Sequence, residues 1–322
     1  MKFSKTLLVS LFGAFSVVAG AEVKENLQNV AITAIVEHPA LDTIRQGMIE
    51  ELAREGFVEG KNIHIDFQSA QGSSATAAQI ARKFVGDKAD VIIPITTPSA
   101  QPVVAATRSI PIVFSGVTDP VAAKLVKSWE PSGTNVTGIS DHKPIEPQLE
   151  LIQAFVPNLK SLGYVYSAGE VNSTIVLEEL KQAAKNVNIT VVPVAVQRSA
   201  DIGSAARSLN GKVQAIYITE DNGVVSAYEA LHKAALEGGI PVIAADRDTV
   251  QRGALAAYAV NQYEIGVETG KVAARVLRGE KAGSIATHSV SKMELSLNKQ
   301  TANALGIHLP EALVKEAKDV FK

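Results

Sequence analysis

The sequence predicts an α/β protein: two doubly wound lobes, each on a parallel sheet, with a cleft between them. Three observations carry this reading. Apolar runs that read as buried strands pass directly into proline-started helices, at Val30–Val36, Val91–Ile95 and Ile110–Val117. Strand-like and helix-like segments alternate in two tandem sets, the pattern of βαβ units. A breaker-rich stretch, Glu130–Asp141 with Pro131, Ser132, Gly133 and Gly138, separates the sets and is expected to be the first crossing between lobes. The length of 322 residues suits two domains.

In order, Asn29–Glu37 reads as a strand and Leu41–Arg54 as an amphipathic helix stopped at Glu55-Gly56. Ile63–Ser69 alternates like a half-buried strand, and Ser74–Gly86 is helical. Val91–Ile95 is apolar throughout, as a strand buried on both faces should be. It runs into Thr96-Thr97-Pro98. Thr97 is expected to be a helix N-cap and Pro98 the first helical residue, where a missing N–H costs nothing. Ile110–Val117 is a strand, and a helix is expected from Pro120 to about Trp129. The second set runs helix Pro144–Phe155, strand Leu162–Ser167, helix Ser173–Asn186 and strand Thr190–Val196. Helix Ala200–Leu209, strand Ala215–Thr219, helix Val224–Glu237 and strand Pro241–Ala245 follow. Gly253–Val260 is another strand, Gln262–Arg278 a helix closed by Gly279, and Thr287–Lys322 holds a short strand and two helices.

Apolar residues make up 46% of the chain and charged residues 20%, normal for a globular protein with a sizeable core. A net charge of −2 does not point to nucleic acid or an anionic membrane. With no cysteine there are no disulfides, thiol nucleophiles or thiolate metal ligands. The histidines are scattered without metal-ligand spacing, so no metal site is expected. No G-x-S-x-G, P-loop or G-x-G-x-x-G follows a strand, so neither catalysis nor a cofactor is expected. At the N-terminus, Lys2 and Lys5 precede the apolar run Thr6–Val18 and the A-x-A sequence Ala19-Gly20-Ala21. Residues 1–21 are read as a signal peptide cleaved after Ala21, with the periplasm as destination.

In a parallel sheet the strand ends that open into helices lie along one edge, where open α/β folds bind ligands. There the first half offers His38, Thr96, Thr97, Ser99, Ser115 and Thr118, with one acid, Asp119. The second half offers Glu170 near Ser167, then Glu220-Asp221-Asn222 and Asp246-Arg247-Asp248. Hydroxyls and helix N-termini, which carry free N–H groups and partial positive charge, thus face a set of carboxylates. The arrangement suits a zwitterion, and an α-amino acid is the simplest one. Thr97 and Ser99 are candidates for its carboxylate. Asp246 is the first candidate for its ammonium and Asp221 the second, with Asn172 and Ser173 as further polar contacts. Purely structural roles stand beside these. Thr97, Asp119 and Asp221 can cap their own helices, Asp246 can pair with Arg247 or Arg252, and His38 can belong to a helix start. Phe114, Tyr166, Tyr217 and Tyr258 lie in or beside strands, where core packing accounts for them.

Several stretches together resemble one family: VEHPALDTIRQG at 36–47, TTPSAQ at 96–101, VTDPVAAKLV at 117–126, NVTGISD at 135–141, Glu170-Val171-Asn172-Ser173, Asp221-Asn222, LRGEKAG at 277–283 and LGIHLPEAL at 305–313. The chain is similar to ABC transporter substrate-binding proteins of the tryptophan/tyrosine type. That resemblance implies a type I periplasmic-binding-protein fold, two Rossmann-like lobes joined by a hinge with three interlobe crossings. Lobe 1 would comprise 28–140 plus about 260–284, and lobe 2 would comprise 141–259 plus about 285–322. It implies a small amino-acid-like ligand, an ABC permease as partner and a monomeric protein. The family's Tyr-Asn-Pro turn is replaced here by Tyr166-Ser167-Ala168-Gly169, which leaves the ligand open. The candidate ligand set is His38, Thr97, Ser99, Ser115, Asp119, Tyr166, Glu170, Asn172, Ser173, Asp221, Asn222 and Asp246. A periplasmic sensor feeding a receptor and a periplasmic enzyme are the alternatives.

Overall fold

The computed structural model describes residues 27–322, so the signal-peptide reading of 1–21 lies outside the described residues. The first sheet is built from β1 (Gln28–Ala34), β2 (Ile63–Ser69), β3 (Val91–Ile95), β4 (Ile112–Val117) and β5 (Val136–Ser140), with α1 (Pro39–Arg54), α2 (Ser74–Gly86) and α3 (Thr97–Ala106) between them. The chain then passes at 141–145 into α4 (Glu146–Phe155), β6 (Ser161–Ser167), α5 (Val171–Asn186), β7 (Thr190–Val196), α6 (Ile202–Arg207) and β8 (Ala215–Tyr217). It continues through α7 (Asn222–Ser226), α8 (Tyr228–Glu237), β9 (Val242–Ala244), α9 (Arg247–Gln251) and β10 (Ala256–Val260). Helix α10 (Gln262–Leu277) follows, then β11 (His288–Ser289), β12 (Met293–Asn298), α11 (Lys299–Leu305), α12 (Glu311–Glu316) and β13 (Asp319–Phe321).

These strands form two sheets, of order β11-β5-β4-β3-β1-β2 and β13-β12-β10-β9-β8-β6-β7. Every pairing is parallel except β10 with β12. Each sheet carries one apolar cluster on each face. That is why the central strands read as continuous apolar runs rather than alternating ones. Helix α10 returns to the first sheet and packs along α1. The two helices approach closely through glycine: a β-carbon at Gly266 would collide with the Ile44 carbonyl. His288–Ser289, expected with the second lobe, pairs with β5 in the first sheet.

Several expected elements differ. No helix spans Pro120–Trp129. The chain there makes turns, with Asp119 accepting from the N–H groups of Val121 and Ala122 and Lys124 in the left-handed region at φ 61°. A left-handed residue stops helix propagation after one turn. The segment Glu130–Asp141 is not wholly a breaker, because Val136–Ser140 is a fully buried strand. Gly138 serves close packing there, since a β-carbon would run into Phe114. The crossing starts only at Asp141. The helix expected over Val224–Glu237 breaks at Ala227, and the short helix α9 was not anticipated.

Candidate ligand-binding cleft

The edges of the two sheets that carry the strand-to-helix turns face each other. Two small cavities lie between them. One, of about 20 Å³, is lined by Thr118, Asp141, Lys143, Asn172, Tyr217 and Glu220 among others. The second, of about 10 Å³, is lined by His38, Leu41, Thr96, Asn222, Asp246 and Gln262, and shares Asp141 and Glu220 with the first. Each has room for about one water molecule. The cleft is therefore shut, and side chains from both sheets meet across it.

The first wall is built from α3 and the turn before it. The helix starts one residue earlier than expected: Thr96 is its N-cap, Thr97 is its first residue, and no side-chain cap bond forms. Thr96 has φ 69°, a conformation unusual for a β-branched residue. The first intrahelical bond is Ala100 N–H to the Thr96 carbonyl at 3.0 Å, so the amides of Thr97 and Ser99 precede the ladder. The hydroxyls of Thr96, Thr97 and Ser99 are all buried and have no hydrogen-bond partner within the protein. The same holds for His38 Nδ1, Asp141 Oδ1, Asn172 Oδ1 and Gln262 Nε2. Buried polar groups are ordinarily paired, so seven such atoms at these strand ends make the cleft the candidate site for a polar ligand. His38, the N-cap of α1, is held neutral, its pKa lowered to about 4 by burial and then by Arg252.

The acids of the second wall divide by how fully they are used. Asp221 accepts four bonds, from Ser167 N–H (2.6 Å), Ser167 Oγ (2.7 Å), Ser173 Oγ (2.7 Å) and Val224 N–H (2.8 Å). It caps α7 and ties β6 and α5 to it, with no acceptor capacity left. Glu170 accepts the N–H groups of Asn222 (3.1 Å) and Gly223 (3.0 Å) and the side-chain amides of Asn222 (2.6 Å) and Asn172 (3.2 Å). Burial, then the Asp221 charge, push its carboxyl upward. Asp246 accepts only from Thr249, at 2.7 Å from its N–H and 2.6 Å from its hydroxyl, and so retains free lone pairs. Burial raises its pKa against those two bonds. Asp141 Oδ1 is unused. Lys143 Nζ donates to the Asp141 carbonyl at 3.0 Å and forms an ion pair with Glu220. Burial works to depress the Lys143 ammonium, but Glu220 and Asp141 outweigh it and hold the pKa above its usual value.

Of the expected site residues, the fold brings His38, Asn172, Asn222 and Asp246 to the cavities and leaves Thr97 and Ser99 buried and unpartnered beside them. The others are engaged elsewhere. Ser115 Oγ lies 2.8 Å from Thr269 Oγ1 on α10; because Thr269 donates to the Ile265 carbonyl, Ser115 is the donor. Asp119 caps its own turn. Ser173 supports Asp221. Tyr166 packs near Tyr164, ring centroids 5.7 Å apart, and lines neither cavity. Sequence reasoning passed over Asp141, Lys143 and Gln262. The signal was there in Asp141-His142-Lys143-Pro144, charged residues before a proline at the crossing between lobes.

Residues 29–321 match the family described as ABC transporter substrate binding protein. The chain belongs to this family. The substrate-binding protein is 41% identical over 278 residues to the Tyrosine-binding protein of Clostridioides difficile, covering 86% of this chain and 81% of that one. It superposes with a TM-score of 0.88 on the ABC domain from Streptococcus pneumonia in complex with L-Trp, at 34% identity, covering 92% of this chain and all of that one. On the ligand-free, open structure of a substrate binding protein with adhesive properties from Clostridium difficile the TM-score is 0.69, at 39% identity and 92% coverage of this chain and all of the other. The higher identity accompanies the poorer superposition, so sequence distance does not separate the two comparisons. The substrate-binding protein has the closed arrangement of the type I periplasmic-binding-protein fold. Its family consists of binding proteins that work outside the cytoplasm, not of enzymes.

Proposed function

We propose that this protein is the periplasmic solute-binding component of an ABC importer and captures an aromatic amino acid between its two lobes. The observation that carries this reading is the set of buried, unpartnered polar atoms at the facing strand ends, the hydroxyls of Thr96, Thr97 and Ser99 on one wall, Asn172 Oδ1 on the other and Asp141 Oδ1 at the crossing between them. The ligand carboxylate lies against Thr97, Ser99 and the α3 N-terminus, which supplies amides and dipole together. The ammonium is taken up by Asp246 and Asp141, the acids with unused acceptor capacity; Asp221 has none and drops out. Asn172 and Asn222 add polar contacts, and His38 and Gln262 close the cleft over the ligand. The names of the relatives support a tyrosine- or tryptophan-like ligand.

Contacts on both walls favour the closed state, so binding drives hinge closure of the two lobes, 28–140 plus about 260–289 against the remainder. The closed monomer then presents its rim to the permease. Calorimetry of the mature chain with L-tyrosine, L-tryptophan and a panel of other amino acids tests the reading, with small-angle scattering on the same samples. Tyrosine or tryptophan should bind and shrink the radius of gyration. A panel without any binding amino acid would sink the assignment.

A further inference from the structure

Lysine is almost never fully buried without a partner, and Lys143 is 8% exposed in the wall of the cleft. It stands on the passage between the sheets. Among the described residues that line the two cavities, Lys143 is the one fixed cation, His38 being held neutral. The carboxylates of Asp141, Glu220 and Asp246 line the same space. Asp141 Oδ1 has no hydrogen-bond partner and Asp246 accepts only from Thr249, whereas Glu220 is held in an ion pair with Lys143. An ammonium arriving on a ligand therefore finds two acids free and the third occupied by a cation that the protein supplies itself.

We propose that Lys143 sets the charge class of the ligand, filling the place of a second cation and restricting the cleft to amino acids with an uncharged side chain. This rests on the amino-acid reading above. A ligand with a cationic side chain would bring its second ammonium to the place beside Glu220 that Lys143 already holds, and two ammonium groups crowded there repel strongly. Exclusion by an introduced repulsion is a general route to specificity. Removing the lysine side chain should do two things at once: free Glu220 and open room for a side-chain ammonium to replace the one lost.

The experiment compares the dissociation constants of L-tyrosine and L-ornithine for the wild-type mature chain and for Lys143→Ala. Lys143→Ser, a small polar replacement without the charge, serves if the alanine variant does not fold. Wild type should bind tyrosine and discriminate against ornithine. In the variant the gap should narrow by about tenfold or more, through tighter ornithine binding. Equal weakening of both ligands would show that Lys143 only anchors the crossing, and would overturn the proposal. Wild type that binds ornithine as well as tyrosine would overturn it too, with the amino-acid reading intact. Wild type that binds neither ligand nor any other amino acid would bring down that reading and this inference with it.

Discussion

Glu170 and Asn222 are joined twice: one carboxylate oxygen of Glu170 accepts the Asn222 side-chain amide at 2.6 Å and its backbone N–H at 3.1 Å. The acid at the start of α5 thereby caps α7, and Asp221 beside it is saturated by four donors. These two acids form a framework that holds the second wall in shape. Asp221→Ala should leave several buried donors without an acceptor, each costing about 1–3 kcal/mol, and lower stability by at least about 3 kcal/mol in ligand-free urea unfolding. A variant as stable as wild type would show that the network is dispensable.

Thr97→Val should behave in the opposite way. Its hydroxyl has no partner within the protein, so the isosteric change leaves ligand-free stability unchanged or slightly raised. Amino-acid affinity should fall by about 1–3 kcal/mol if a ligand carboxylate oxygen loses its donor. Stability and affinity measured on one preparation separate this residue from Asp221. Loss of stability with affinity kept would place Thr97 among the structural residues.

Asp246→Asn and Asp141→Asn each keep shape and remove a charge that the proposed reading assigns to the ligand ammonium. Each should weaken an α-amino acid by roughly 2–5 kcal/mol, the usual effect of truncating one partner of a desolvated charge pair. The desamino analogue 3-(4-hydroxyphenyl)propanoate should bind wild type weakly and the variants no worse. If both variants bind tyrosine normally, the ammonium is not read through these carboxylates.

His38 gives a pH dependence with a definite sign. Its folded-state pKa is lowered from 6.5 to about 4, so its contribution to the closed state is full above pH 6.5 and is lost as pH falls toward 4. If opening returns the imidazole to its ordinary pKa, this group alone should make affinity about thirtyfold weaker at pH 5 than at pH 7.5. Asp246, whose carboxyl is raised, works in the reverse sense, as does Glu220, and Asp141 shares the cavity. The readout is therefore the difference between wild type and His38→Gln across this range. Parallel pH profiles would mean that His38 does not titrate with closure.

Much of the fold was legible because local signals agreed with the tertiary answer. Ile63–Ser69, Ser74–Gly86 and Thr190–Val196 have the expected limits to the residue. The misreadings have physical causes. Gly138 reads as a breaker but is a packing glycine inside a strand, and Pro120 reads as a helix start although a left-handed Lys124 ends the turn. The site was legible as a pair of chemistries, hydroxyls facing acids. Which acid is free was not, since the saturation of Asp221 depends on Ser167 and Ser173, brought to it by the β6–α5 turn. The place of Asp141 and Lys143 depends on where the chain crosses between sheets.

The packing of α10 on α1 also governs the order in which the molecule can assemble. Ile44, Met48 and Leu52 of α1 share one apolar cluster with Ile265, Val272 and Val276 of α10. Those partners leave the ribosome only after every strand of the second sheet except β12 and β13 has been synthesised. A nascent chain that ends before Gln262 therefore has an uncovered apolar face on α1 and an unfinished first lobe. Such a chain presents apolar surface to chaperones, because the α1–α10 pair can form only when synthesis is nearly done.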